Sequence, residues 1–99
     1  MRPQFIQGAT MTAMTDREHK TKRLRFRAWH RGTRELDLLI GRFADAHLET
    51  MDEGQLDRFE TFMKLPDPDV YGWLVKGLPV PEEHQDDIID LIVDFHKLP

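Results

Sequence analysis

The sequence predicts an all-α fold, a compact antiparallel bundle of five helices, on three observations. Apolar residues recur at three- and four-residue spacing in most segments, which places them along one helical face. Helix-start signals divide the chain at Thr15, Thr33, Asp52, Asp67 and Pro81. The links between the segments are only a few residues long, so consecutive helices must lie side by side. The β-branched run Ile88–Phe95 is the one stretch where a strand competes, and its length and end signals favour a helix.

The first helix starts at Thr15, with Glu18 three residues on to complete a reciprocal cap, and runs to about Trp29. Leu24 and Ala28 form its apolar stripe, with Phe26 and Trp29 beside it, and Lys, Arg and His make up most of the remainder. Gly32 redirects the chain, because glycine takes left-handed backbone conformations at little steric cost. The second helix is capped by Thr33 and carries Glu35 and Asp37 in its first turns, where the helix dipole favours negative charge. Leu36, Leu39, Ile40, Phe43 and His47 share one face, making this the central helix.

The third helix begins at Asp52, with Gln55 completing a second reciprocal cap, and buries Leu56, Phe59, Phe62 and Met63 before stopping at Pro66. The fourth is expected to use Asp67 as its cap and Pro68 as its first helical residue, where a missing N–H costs nothing. Its apolar residues are Val70, Tyr71, Trp73 and Leu74, and Gly77 with Pro79 ends it. The fifth follows Pro81, with Glu82 and Glu83 in the first turn and His96 and Lys97 in the last, both signs matching the dipole. Met1–Met14 shows no periodicity and reads as a disordered leader that function does not need, with Met11 and Met14 as further candidate starts, so residues 15–99 form the single domain.

Ninety-nine residues allow one modest core. The chain has no cysteine, which excludes disulfides, thiolate metal sites and cysteine nucleophiles, and its apolar runs are too short to span a bilayer. The net charge of -4 conceals a dipole. Residues 1–34 hold nine Lys and Arg against two Asp and Glu, a balance of +7, while residues 35–99 hold five against sixteen, a balance of -11. A basic front end of this kind meets phosphates, an acidic groove or its own acidic half.

Enzymatic chemistry finds little footing. The five histidines are scattered, with no pair at the i, i+4 spacing that presents two imidazoles to one ion, so no metal is assigned. There is no serine and no phosphate-cradling glycine loop, and nothing encloses His30 and Glu35 as an acid–base pair. Arg17, Lys20, Lys22, Arg23, Arg25 and Arg27, interleaved with Phe26 and Trp29, suit a nucleic-acid surface, yet the acidic half would be repelled by a polyanion.

The turn between the first two helices concentrates the remaining signal. Arg27, His30, Arg31 and Arg34 crowd Gly32, and Glu35 follows at once. As a plain interhelical turn, its arginines would be solvated or would reach back to a carboxylate such as Asp37. As a partner-binding corner, Arg31 is a pre-organised hydrogen-bond fork, Trp29 an anchor, and Glu35 the group that meets a cation. On this reading Arg31→Ala or Glu35→Ala leaves the helical fold intact.

Here the sequence resembles the SdhE family of flavinylation and assembly factors for the succinate dehydrogenase flavoprotein, also described as antitoxin CptB-like proteins. The resemblance rests on Arg31-Gly32-x-x-Glu35 within WHRGTRELDLLIGRFADAHL, on Leu56 and Phe59-Glu60, and on Asp67-x-Asp69 through Trp73 and Gly77, so it spans roughly Lys22 to Gly77. FRAWHRGTRE looks like the form in alphaproteobacterial members, and His30 departs from the second arginine of many members. The resemblance implies a cytoplasmic bacterial chaperone, with a mitochondrial matrix setting less favoured. It implies a factor that is not itself an enzyme and that binds the flavoprotein subunit of succinate dehydrogenase, with a fumarate reductase flavoprotein as a further client. It promotes covalent attachment, from a partner histidine to the 8α-methyl carbon, of FAD that the partner carries, and holds no stable cofactor itself. Arg31, Gly32, Glu35, Trp29, His30, Arg34 and Arg27 are the expected partner-binding residues, with Asp67, Asp69 and Tyr71 as a secondary surface. The alternatives are an antitoxin-like or nucleic-acid-binding protein acting through the basic first helix.

Overall fold

The computed structural model describes residues 15–98, and every regular element among them is helical. The elements are α1 (Asp16–Ala28), α2 (Arg34–His47), α3 (Glu53–Phe62), α4 (Asp67–Leu74) and α5 (Asp87–His96), with 3-10 turns at Leu48–Thr50 and Glu82–His84. The expected leader, Met1–Met14, lies outside the described residues. No helix among them is long and apolar enough to cross a membrane.

Side-chain caps set four of the five starts, three of them where the sequence predicts. Thr15 Oγ1 accepts from the Glu18 amide at 3.1 Å while Glu18 Oε1 accepts from the Thr15 amide at 2.8 Å. Asp52 and Gln55 repeat the exchange at 2.8 and 3.3 Å, and Thr33 Oγ1 accepts from the Leu36 amide at 3.2 Å. Each such cap contributes about 1 kcal/mol.

Two starts differ from expectation. α4 takes Pro66 as its N-cap with no side-chain cap, so Asp67 is the first helical residue and Pro68 the second. The Asp67 carboxylate is engaged elsewhere, by Arg31. α5 does not follow Pro81: Glu82–His84 form a separate 3-10 turn, Gln85 is extended, and Asp86 caps the helix by accepting from the Ile88 and Ile89 amides at 3.0 and 3.4 Å. A carboxylate that can bond two free amides outcompetes the dipole preference of Glu82 and Glu83 as the start signal.

α2 is the central element, packed against both α1 and α5, and α5 also packs on α3. Leu24 and Ala28 of α1, Leu36, Ile40 and Phe43 of α2, Phe59 of α3, Val70 of α4 and Ile92 of α5 are fully buried. Burying each large aliphatic or aromatic side chain contributes about 1.5–3 kcal/mol. Half-buried His47 stacks on Phe43 at 4.7 Å between centroids and meets Phe95 edge-on at 5.3 Å, which makes it a core histidine.

The basic front end folds onto the chain's own acidic residues. Arg17 pairs with Glu53 at 2.9 Å and also donates to the Met51 carbonyl, while Lys20 pairs with Asp57 and, at 3.5 Å, with Glu60. Arg23 reaches Glu60 at 3.3 Å, and Arg25 reaches Asp45 and Glu49 at 3.4 and 3.6 Å. Bonding to Asp57 outweighs burial and raises the Lys20 ammonium above its usual value. Burial pushes the Glu60 carboxyl up, but Lys20 and Arg23 together carry it below the ordinary range. These contacts weaken the case for a nucleic-acid surface along α1, because four of its six cations, Arg17, Lys20, Arg23 and Arg25, already have carboxylate partners.

Candidate functional site at the α1–α2 corner

Residues 29–33 turn the chain between α1 and α2, and contacts beneath the turn fix its shape. Asp37, one turn into α2, accepts from the Arg31 amide at 2.5 Å and the Gly32 amide at 3.4 Å, satisfying two donors that the turn would otherwise leave free. Gly32 sits at φ +120°, where an L side chain is strained, and a Cβ there would meet Asp67 Oδ2 at 3.3 Å. The glycine therefore permits both the turn and the close approach of the Asp67 carboxylate at the start of α4.

The Arg31 side chain does not project into solvent. It is only 6% exposed, with Nη1 donating to the Met63 carbonyl at 2.7 Å and Nη2 to the Leu65 carbonyl at 3.1 Å. Nη2 also lies 2.6 Å from Asp67 Oδ1. One guanidinium thus ties the α1–α2 corner to the loop that ends α3 and starts α4, and only its Nε lacks a partner. The expectation of Arg31 as a fork offered to a partner is corrected, because its charge and four of its donor directions face inward. Arg31→Ala cannot leave the fold untouched, since it would strip the donor from two carbonyls and the cation from Asp67.

Trp29, half-buried, buttresses the turn from the α2 side. Its indole Nε1 donates to Asp45, 3.2 Å from each carboxylate oxygen, and its ring lies on α2 over Gly41. A Cβ at Gly41 would stand 2.4 Å from the nearest ring atom, so the glycine is what lets α1 seat. The ring therefore supports the corner from that side. Asp37, expected as a carboxylate for the turn's arginines, instead accepts from the Arg31 and Gly32 amides, while Asp45, Gly41 and the Met63 and Leu65 carbonyls are supporting groups that sequence reasoning did not assign to the corner. Of these last, only Gly41, a small residue inside an apolar helix face, left a signal.

The solvent side holds a different set. His30, Gly32, Arg34 and Glu35 are exposed, as is Arg27 one turn back on α1. Arg27, Arg34 and Glu35 make no ion pair among the described residues. Arg27 and His30 join Arg31, Met63, Leu65 and Asp67 around a depression of about 230 Å³. On the other side of Asp67, a groove of about 350 Å³ runs past Thr33, Pro68, Tyr71 and Lys76, with the Lys76 ammonium 6.0 Å above the Tyr71 ring. Of the secondary set, Asp69 is exposed and Tyr71 half-buried, while Asp67 is held by Arg31. The geometry joins the two expected surfaces into one corner with Asp67 at its centre.

Comparison with known proteins gives a consistent picture. A family profile described as flavinator of succinate dehydrogenase matches residues 22–96. The FAD assembly factor SdhE of Acetobacter pasteurianus is 37% identical over 96 residues, covering 97% of this chain and 88% of that protein. Succinate dehydrogenase assembly factor 2, mitochondrial, of Dictyostelium discoideum is 35% identical over 75 residues, covering 76% of this chain. The protein of the same description from Danio rerio is 35% identical over 80 residues, covering 79% of this chain. The matches span 53% and 51% of these two mitochondrial proteins, about half their length.

Proposed function

The chain belongs to the family of flavinators of succinate dehydrogenase, and from that premise we propose that it binds the succinate dehydrogenase flavoprotein subunit and promotes covalent attachment of FAD to it. The observation that carries this reading is the division within the corner. Arg31, Asp37 and Asp67 hold its backbone from beneath, leaving Gly32, Arg34 and Glu35 presented outward on a fixed frame. A rigid corner loses little freedom on docking, so more of its contact energy goes to selecting one conformation of the partner.

In this reading the flavin and the histidine that bonds it both stay on the partner, and the chain is a helper rather than an enzyme. Attachment needs the flavin and its acceptor held in one orientation away from water. Gly32 lets partner backbone approach closely, Glu35 meets a cation and sets register, and His30, Arg34 and Arg27 supply positive charge at the contact. Asp69 and Tyr71 extend the same contact along the α4 groove. Arg31 and Trp29 act from behind as positioning residues. The setting we propose is the bacterial cytoplasm, where the subunit exists before assembly, and a fumarate reductase flavoprotein is a further candidate client.

The test is reconstitution with purified apo-flavoprotein subunit and FAD, followed by flavin fluorescence of the denatured subunit. Glu35→Ala is expected to retain the helical melt of the parent while covalent flavin falls towards the level without the chain. Full attachment by Glu35→Ala and by Gly32→Ala together would leave the corner without a role.

A further inference from the structure

The solvent side of α1 holds an exposed aromatic side chain, Phe26. Leu24 and Ala28 face the core, and at 3.6 residues per turn Phe26, two positions from each, falls on the opposite side, where it is 64% exposed. A single exposed apolar residue is ordinary; the surroundings of this one are not. The His30 ring stacks on Phe26 with centroids 4.1 Å apart and planes 19° apart, and His30 Nδ1 donates to the Phe26 carbonyl at 2.7 Å. The two rings thus form a pre-set platform in place of a freely rotating side chain.

Charge around the platform separates it from the rest of α1. Arg17, Lys20, Arg23 and Arg25 all have carboxylate partners, whereas Lys22, one turn before Phe26, and Arg27 beside it have none among the described residues. Arg27 and His30 also line the depression over Arg31 and Asp67, so the platform is continuous with the corner.

We infer that Phe26, stacked on His30 and flanked by Lys22 and Arg27, is an interface anchor that enters an apolar notch with an acidic rim on the flavoprotein subunit. The inference rests on the proposed function and extends its contact one helical turn along α1. Aromatic residues entering apolar notches dominate protein interfaces, and unpaired cations at the edge select an acidic rim. A protein fits this surface better than a nucleic acid. Only two unpaired cations flank the ring, too few for a phosphate backbone, whose binding is carried by many Lys and Arg contacts.

The experiment titrates apo-flavoprotein subunit with the full chain and with Phe26→Ala, Phe26→Tyr, Arg27→Glu and Glu35→Ala, together with a thermal melt of each. Phe26→Ala is expected to melt with the parent and to bind about tenfold or more weakly. Phe26→Tyr should bind like the parent, and Arg27→Glu should weaken binding more at low salt than at high salt. Parental affinity in Phe26→Ala, with Glu35→Ala impaired, would overturn the anchor and leave the corner standing. A parent chain that fails to bind the subunit would overturn both. Single-stranded RNA or DNA bound by the parent and lost in Phe26→Ala would show that the occupant is a polyanion and overturn the assignment to a protein notch.

Discussion

Arg31 and Glu35 stand four positions apart in one motif and live in opposite environments. The first is almost wholly buried and bonded to two carbonyls and a carboxylate; the second is exposed and has no partner among the described residues. The difference separates two kinds of dependence that a loss-of-function result would merge. Removing the inner residue deforms the corner, whereas removing the outer one leaves the corner in place and blank.

Arg31→Ala probes the inner side and carries the largest expected effect on stability. It leaves the Met63 and Leu65 carbonyls without their donors and Asp67 without its cation, a loss of about 2–4 kcal/mol. For a domain of this size that lowers Tm by roughly 10–20 °C. Arg31→Lys should recover only part of it, because one ammonium cannot span three acceptors as a planar fork does. A calorimetric melt indistinguishable from the parent would show that the guanidinium does not hold the corner.

Gly41→Ala tests the other inner support. The added methyl would overlap the Trp29 ring, and overpacking of this kind costs about 1–3 kcal/mol. If the ring is the obstacle, Gly41→Ala combined with Trp29→Leu should cost less than the sum of the two single changes. Additive melting shifts would place the strain elsewhere.

These inner supports mark where sequence reasoning stopped. The helices, the reciprocal caps at Thr15 and Asp52, and the central place of α2 were legible because they depend on residues three or four apart. The corner's exposed residues were legible as a cluster of charge around Gly32. The surroundings of the Arg31 guanidinium were not, since the residues that engage that side chain lie 32 to 36 positions away and two of them contribute only backbone carbonyls, which carry no residue signature. Asp67 misled for a related reason: an Asp before a Pro is a good cap, and only the tertiary contact with Arg31 shows that its carboxylate is occupied.

Glu35→Ala probes the outer side. As an exposed residue in the first turn of α2 it should change stability by about 0.5 kcal/mol or less, its share of the helix-dipole term. Covalent flavin on the partner should nevertheless fall sharply. The comparison is sharpest when both variants are assayed for melting and attachment together: Arg31→Ala should lose both, and Glu35→Ala only attachment. A Glu35→Ala protein that melts as low as Arg31→Ala would erase the distinction between the two sides.

The smallest expected effect concerns the ion pairs that hold α1 and α5 against α3, away from the corner. Arg58, hydrogen-bonded to Asp87 at 2.7 and 2.9 Å, keeps that carboxyl below its usual range, and Glu60 is lowered as well. A carboxylate with a depressed folded-state pKa contributes stability that is present above its unfolded value and disappears as pH falls through the folded one. Tm should therefore decline as pH drops below about 4. Asp87→Asn and Glu60→Gln should each flatten that decline while lowering Tm slightly at neutral pH, since exposed pairs are screened by solvent. Lys20 has the opposite sign: its raised pKa holds stability below the ordinary lysine value, lost only as pH rises through the folded one. Neither variant should alter flavin attachment at neutral pH, because the corner's frame rests on Asp37 and Asp67 and not on these pairs. An acid decline equally steep in both variants would mean that carboxylates other than these two control it.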